Sequence, residues 1–227
     1  MRVWLLLLAV LLIVPVAAVL MVNGSAVAIL LFGYGAATPE QAALIGLIVS
    51  VFMIGLLPFT LFYVLLRGFY ALEDTRTPFW ITVAFSVVLI VSVLPLFSLA
   101  PAGGTQVAAI ALAYSISYWF GFVVAWWILA RRLGSMESRR TAWSLARTLL
   151  AGILSGVLML GTLAILINLE DGGRSSSLGR GSLVLNVVVT SAVGLLVFLL
   201  AAWALRISEV SALLSMSRRL TARGRRR

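Results

Sequence analysis

The sequence predicts an all-α fold, a polytopic transmembrane bundle of about six helices with both termini on the cytoplasmic side. Three observations carry this. Of 227 residues, 63% are hydrophobic and 11% charged, whereas a soluble domain keeps about 25% charged residues to face water; the mean hydropathy is +1.15. Six apolar runs approach or exceed the roughly 20 residues that cross a bilayer. The arginines, finally, fall almost entirely on one side of the resulting topology.

Taken in order, the spans are about 3–22 (extending to 32 if Pro15 only kinks the helix), 42–66, 79–99, 107–130, 149–169 and 183–205. Polar breaks separate them at 33–41, 67–78, 101–106, 131–147 and 170–182. Residues 1–205 thus form one transmembrane bundle, and 206–227 form a short basic cytoplasmic tail. The first run could be taken for a signal peptide, with Ser25-Ala26-Val27-Ala28 as a cleavage site. It is longer than the usual apolar stretch of about 7–15 residues, and five further spans follow it.

Orientation comes from counting. The chain has seventeen basic residues against seven acidic, and every basic residue is arginine. Alternate breaks share a side, and Arg2, Arg67, Arg76, Arg131, Arg132, Arg139, Arg140, Arg147, Arg206 and the tail arginines all fall together. Only Arg174 and Arg180 lie opposite. The rule that positive loops stay inside makes the rich side cytoplasmic. In so apolar a chain this charge meets anionic lipid headgroups rather than nucleic acid.

The composition closes several function classes. There is no cysteine and no histidine, so thiol catalysis, a disulfide framework and most metal sites are excluded; no metal or cofactor is expected. Without lysine there is no phosphate-binding P-loop. Ser175, Ser176 and Ser177 have no histidine to activate them, so a lipid-modifying hydrolase has no machinery. No ionisable residue sits deep in a span, which is where ion pumps and proton relays place theirs.

What remains is a set of structural signals. Arg67 to Pro78 reads as a helix end, a polar turn and a new helix start, with Thr75 or Thr77 capping and Pro78 in the first turn. Arg67 and Arg76 are expected to pair with Glu73 and Asp74. Pro58, one turn after Gly55, removes a helical hydrogen bond and marks a kink or hinge. Ala113, Ser117, Gly121 and Ala125 form a small-residue ridge on the fourth span, and Gly152 and Gly156 a GxxxG on the fifth, beside Ser155; such ridges let helices pack closely. Trp119, Trp126 and Trp127 fit an interfacial aromatic belt.

Two stretches carry a family resemblance. Leu31-Phe32-Gly33-Tyr34-Gly35-Ala36-Ala37-Thr38 resembles a helix end of the lipid II flippases of the MurJ (MviN) family. Arg67-Gly68-Phe69-Tyr70-Ala71-Leu72-Glu73-Asp74-Thr75-Arg76-Thr77-Pro78 is similar to that family's FYAxxDTxTP stretch, at matching spacing. The resemblance implies a multi-pass protein of the bacterial inner membrane. Family members have about fourteen helices in two lobes with two more helices at the end, and they move an undecaprenyl-pyrophosphate-linked peptidoglycan precursor by alternating access. The six spans look like the last six. Arg67, Phe69, Tyr70, Ala71, Asp74, Thr75, Arg76, Thr77 and Pro78 would then hold a cytoplasmic helix junction. The family's cationic cavity lies mostly on helices preceding these six, so the chain is expected to need an N-terminal partner half to transport. The rival reading is a non-transporting membrane scaffold.

Overall fold

The computed structural model describes residues 3–34, 38–133, 135–171 and 180–204. They form six helices: α1 (Val3–Phe32), α2 (Pro39–Ala71), α3 (Arg76–Leu99), α4 (Gly104–Leu133), α5 (Ser135–Asp171) and α6 (Arg180–Ala204). All six are long and apolar enough to cross a membrane. The basic tail, Arg174, Ser175–Ser177 and the end of the first glycine string lie outside the described residues.

Hydropathy located the spans, but not the helix ends. The break expected at 131–147 is helical on both sides of Gly134, and α5 begins at Ser135. Its span proper starts only at Trp143. Arginine, alanine and leucine are good helix formers, so leaving the apolar layer does not end a helix. At about 1.5 Å per residue, the 37 residues of α5 reach well beyond the roughly 30 Å hydrocarbon core. Likewise α1 runs unbroken through Pro15 to Phe32. The start of α2 is set by a signal not anticipated: the Thr38 hydroxyl accepts from the Gln41 N–H, the Gln41 side chain accepts from the Thr38 N–H, and Pro39 opens the helix, a reciprocal capping box.

α1 and α2 pack along their length, as do α2 and α4; α3 leans on α4, and the α5–α6 pair docks on α1. One buried cluster joins Val10, Leu11 and Val14 of α1 to Leu57 and Leu61 of α2, Leu145 and Ala151 of α5, and Phe198, Ala201 and Ala202 of α6. A second joins Phe62, Leu66 and Phe69 of α2 to Ile81 of α3 and Ala125 of α4. Elsewhere large apolar side chains face outward, as lipid as solvent requires.

Polar groups within the bundle are used across its seams. Ser50 donates to the Leu20 carbonyl at 3.1 Å and Ser25 to that of Ala43 at 3.3 Å, tying α1 to α2. Ser155 donates to the Gly194 carbonyl at 2.7 Å, tying α5 to α6. Thr190 of α6 donates to Asn23 Oδ1 of α1 at 2.9 Å, both residues fully buried.

Glycines mark the closest approach. A Cβ on Gly46 would lie 2.3 Å from Ser25 Cα and 2.4 Å from the Gly24 oxygen. These are backbone atoms of a packed neighbour, so only separation of α1 from α2 could relieve the clash. Gly156 meets no atom within 4 Å. Gly46→Ala is therefore expected to destabilise the bundle by roughly 1–3 kcal/mol, while Gly156→Ala stays within about 0.5 kcal/mol. Thermal unfolding of both variants in one detergent tests the contrast.

Candidate functional site

The junction between α2 and α3 is built from backbone outward. At the end of α2 the Glu73 N–H donates to the Tyr70 carbonyl and the Asp74 N–H to that of Phe69, each at 3.1 Å. This paired closure needs a left-handed residue, and Glu73 supplies it with φ +59, where glycine is usual. The turn delivers Asp74 to the start of α3. Its Oδ1 accepts from the Arg76 and Thr77 N–H groups, both at 3.0 Å, and its Oδ2 accepts from the Thr77 hydroxyl at 2.6 Å.

Asp74 is thus the cap of α3. Thr75 holds the capping position with helical backbone angles and makes no side-chain cap bond, and Thr77 spends its hydroxyl on the carboxylate. A carboxylate satisfies orphan N–H groups better than a hydroxyl and also complements the helix dipole. Pro78 follows inside the first turn of α3 and is buried.

The expected pairing with Arg67 and Arg76 is replaced by a distant one. Arg132, at the end of α4, donates from NH1 to Asp74 Oδ2 in a close ion pair and from NH2 to the Thr77 hydroxyl at 3.0 Å. Its guanidinium also lies 5.8 Å from the ring centre of the fully buried Phe69. Three helices meet in one clasp. Arg132 was not identifiable beforehand, because its 58-residue separation from Asp74 leaves no local pattern. The hydrogen bonds from Thr77, side chain first and then backbone, hold the Asp74 carboxyl well below the usual carboxylate range, with Arg132 adding to the effect.

Other residues singled out from sequence fall as follows. Arg67, Tyr70, Thr75 and Arg76 are exposed around the junction, as is Ala71. Ser117 is buried and bonds back to the Ala113 carbonyl at 2.8 Å, and Gly121 faces the Phe62 ring. Gly152 faces Val14 of α1; with Gly156 in open space, the two glycines do not act as one GxxxG seam. The α5–α6 contact is made by Ser155 and Met159 against Gly194.

Around Pro58 the kink is fastened. Proline leaves the Ile54 carbonyl without its helical donor, and Trp119 Nε1 of α4 supplies one at 3.2 Å. Beside it, a Cβ on Gly55 would lie 2.9 Å from Ser115 Cα, and Ser115 donates to the Val51 carbonyl at 3.3 Å. Trp119 therefore ties α4 to α2. Trp127, by contrast, lies 3.6 Å beneath the Arg131 guanidinium at the arginine-rich end.

Comparison with known proteins agrees with the motif. The family model described as Lipid II flippase MurJ matches residues 3–178. The chain belongs to the MurJ lipid II flippase family. A probable lipid II flippase MurJ of Buchnera aphidicola is 28% identical over 206 residues, covering 91% of this chain and 38% of the relative. One from Thermotoga maritima is 32% identical over 186 residues, covering 82% and 33%. One from Rhizobium meliloti is 39% identical over 92 residues, covering 39% and 17%. The chain spans about a third of the length of the MurJ relatives with which it aligns most fully. With six membrane-crossing helices, it is a multi-pass protein of the bacterial inner membrane.

Two outcomes test the site. Asp74→Ala strips four hydrogen bonds and Arg132→Ala two, so Asp74→Ala lowers the melting temperature by several degrees and Arg132→Ala by less. Because the folded carboxyl titrates below its unfolded value, the clasp is at full strength above the unfolded pKa of about 3.9 and weakens only as pH falls below it. The wild-type minus Asp74→Ala difference is thus flat from pH 5 to 8. Separately, Trp119→Phe keeps the ring but removes the donor to Ile54, and costs about 0.6 kcal/mol, the average for such bonds in membrane bundles, by reversible unfolding in detergent.

Proposed function

We propose that this chain supplies the C-terminal part of a flippase for an undecaprenyl-pyrophosphate-linked peptidoglycan precursor, working by alternating access with an arginine-lined N-terminal part. The observation that carries the reading is the clasp, in which Asp74, Thr77 and Arg132 lock the cytoplasmic ends of α2, α3 and α4 together. A lobe that rocks as a unit needs its helices fixed to one another at the end that opens and closes. In this reading Asp74 and Thr77 of the family motif serve the fixture rather than contact with the precursor.

The dependence on a partner part follows from electrostatics. A pyrophosphate drawn into a low-dielectric cavity needs fixed positive charge, best supplied by guanidinium forks. Residues 10–32, 41–66, 77–99, 104–130, 148–169 and 181–204 contain no charged residue at all. The six spans can close around a lipid-linked substrate and present apolar walls to its tail, but they offer its headgroup no counter-charge.

Reconstitution tests this directly. Vesicles holding the chain alone are expected to translocate a fluorescent precursor at the protein-free rate, and co-reconstitution with the N-terminal helices of a family member raises that rate. Transport by the chain alone would overturn the dependence. Absence of any crosslink to those N-terminal helices, with no transport, would favour a scaffold instead.

A further inference from the structure

A groove on the outer side of α3 has no part in the clasp or in the transport reading. It opens between α3 and α4 at their arginine-rich ends, with a volume of about 440 Å³, within the range of roughly 300–1,000 Å³ typical of small-molecule sites. Ile81 and Ala84 of α3 and Val124 and Ile128 of α4 form its apolar walls, and Arg76 and Trp80 stand at its mouth. Thr77 also borders it, but its hydroxyl is already engaged by Asp74 and Arg132.

We propose that this groove binds one anionic glycerophospholipid of the cytoplasmic leaflet, its phosphate on Arg76 and one acyl chain between α3 and α4. Depth and charge agree. Arg76 is the first residue of α3, and Ala84, eight residues on, lies about 12 Å deeper along the helix axis. The groove thus descends from headgroup level into hydrocarbon, the path of an acyl chain rather than of a soluble ligand. Its charge sits only at the top. The Arg76 side chain is exposed and makes no hydrogen bond or ion pair among the described residues, while its backbone N–H is held by Asp74. The root of the side chain is thereby anchored, and the guanidinium is left available. Trp80 is 67% exposed beside it, an amphipathic ring at the depth where tryptophan favours the headgroup boundary.

A zwitterionic lipid would fill the same walls but would place a competing cation near Arg76. Phosphatidylglycerol is therefore preferred over phosphatidylcholine, by about fivefold for one arginine at the surface.

Native mass spectrometry of the full chain in mild detergent, with dioleoyl phosphatidylglycerol or dioleoyl phosphatidylcholine at equal concentration, tests the site. The expected result is a first bound lipid favouring phosphatidylglycerol about fivefold. Arg76→Gln abolishes that preference, Arg76→Lys keeps it, and Ala84→Phe lowers uptake of both lipids by filling the groove. Circular dichroism confirms that each variant remains folded. Equal occupancy by the two lipids, a preference unchanged in Arg76→Gln, or uptake unchanged in Ala84→Phe would overturn the proposal. So would displacement of the lipid by inorganic phosphate, which would make the site a simple anion site.

Discussion

Every polar group placed inside this bundle must be satisfied by the bundle, because hydrocarbon offers no replacement partner. Helix formation satisfies the backbone almost everywhere. At one break a neighbouring helix steps in. Pro58 orphans the Ile54 carbonyl, and Trp119 reaches across from α4 to bond it. The same constraint turns Ser117, Thr148 and Thr162 back onto carbonyls of their own helices. Where a hydroxyl reaches between helices instead, as Ser155 does to the Gly194 carbonyl, it fixes register between α5 and α6 that apolar packing alone would leave free to slide.

This constraint also explains what could be read from the sequence. Spans and sidedness depend on transfer of side chains between water and lipid, and that is a local, additive property of composition. Six apolar runs were enough to give the six membrane-crossing helices. Helix ends depend instead on capping and propensity, so the arginine-rich stretch before Trp143 stayed helical although its hydropathy had fallen. The family motif was legible as a string, and the turn at Glu73–Asp74 was legible as a turn. Which arginine would meet Asp74 was not, because Arg132 is separated from it by two complete crossings of the membrane. Gly152 and Gly156 show the same limit. Spacing put them on one face of α5, but only the neighbouring helices decide that Gly152 meets Val14 while Gly156 meets nothing.

α3 shows how unevenly the lobe is held. It packs mainly on α4 and meets α2 through Ile81 and Phe85, and only Pro78 and Ile81 of its residues are buried. Both lie in its first two turns, at the end where Asp74 caps it and Arg132 ties it down. Past Phe85, which stacks on Phe62 and meets Tyr118, it presents apolar side chains outward to Leu99, itself 82% exposed. The helix is anchored at one end and lipid-solvated along much of the other.

That asymmetry bears on where the lobe can bend. Pro58 marks a kink or hinge by sequence, and flexing α2 there would pull Ile54 from Trp119 and separate Gly55 from Ser115. Each loss is a hydrogen bond or close backbone contact with no substitute in lipid. The seam between α4 and α5 holds less contact, whereas that between α2 and α3 holds Ile81 among Phe62, Leu66 and Phe69 and the Phe62–Phe85 stack. α1, α2 and α4 therefore form the most closely packed centre of the described helices, with α3 leaning on α4 and the α5–α6 pair docked on α1. In this arrangement the break at Pro58 is fastened to α4 by the Trp119–Ile54 hydrogen bond and the close approach of Gly55 to Ser115.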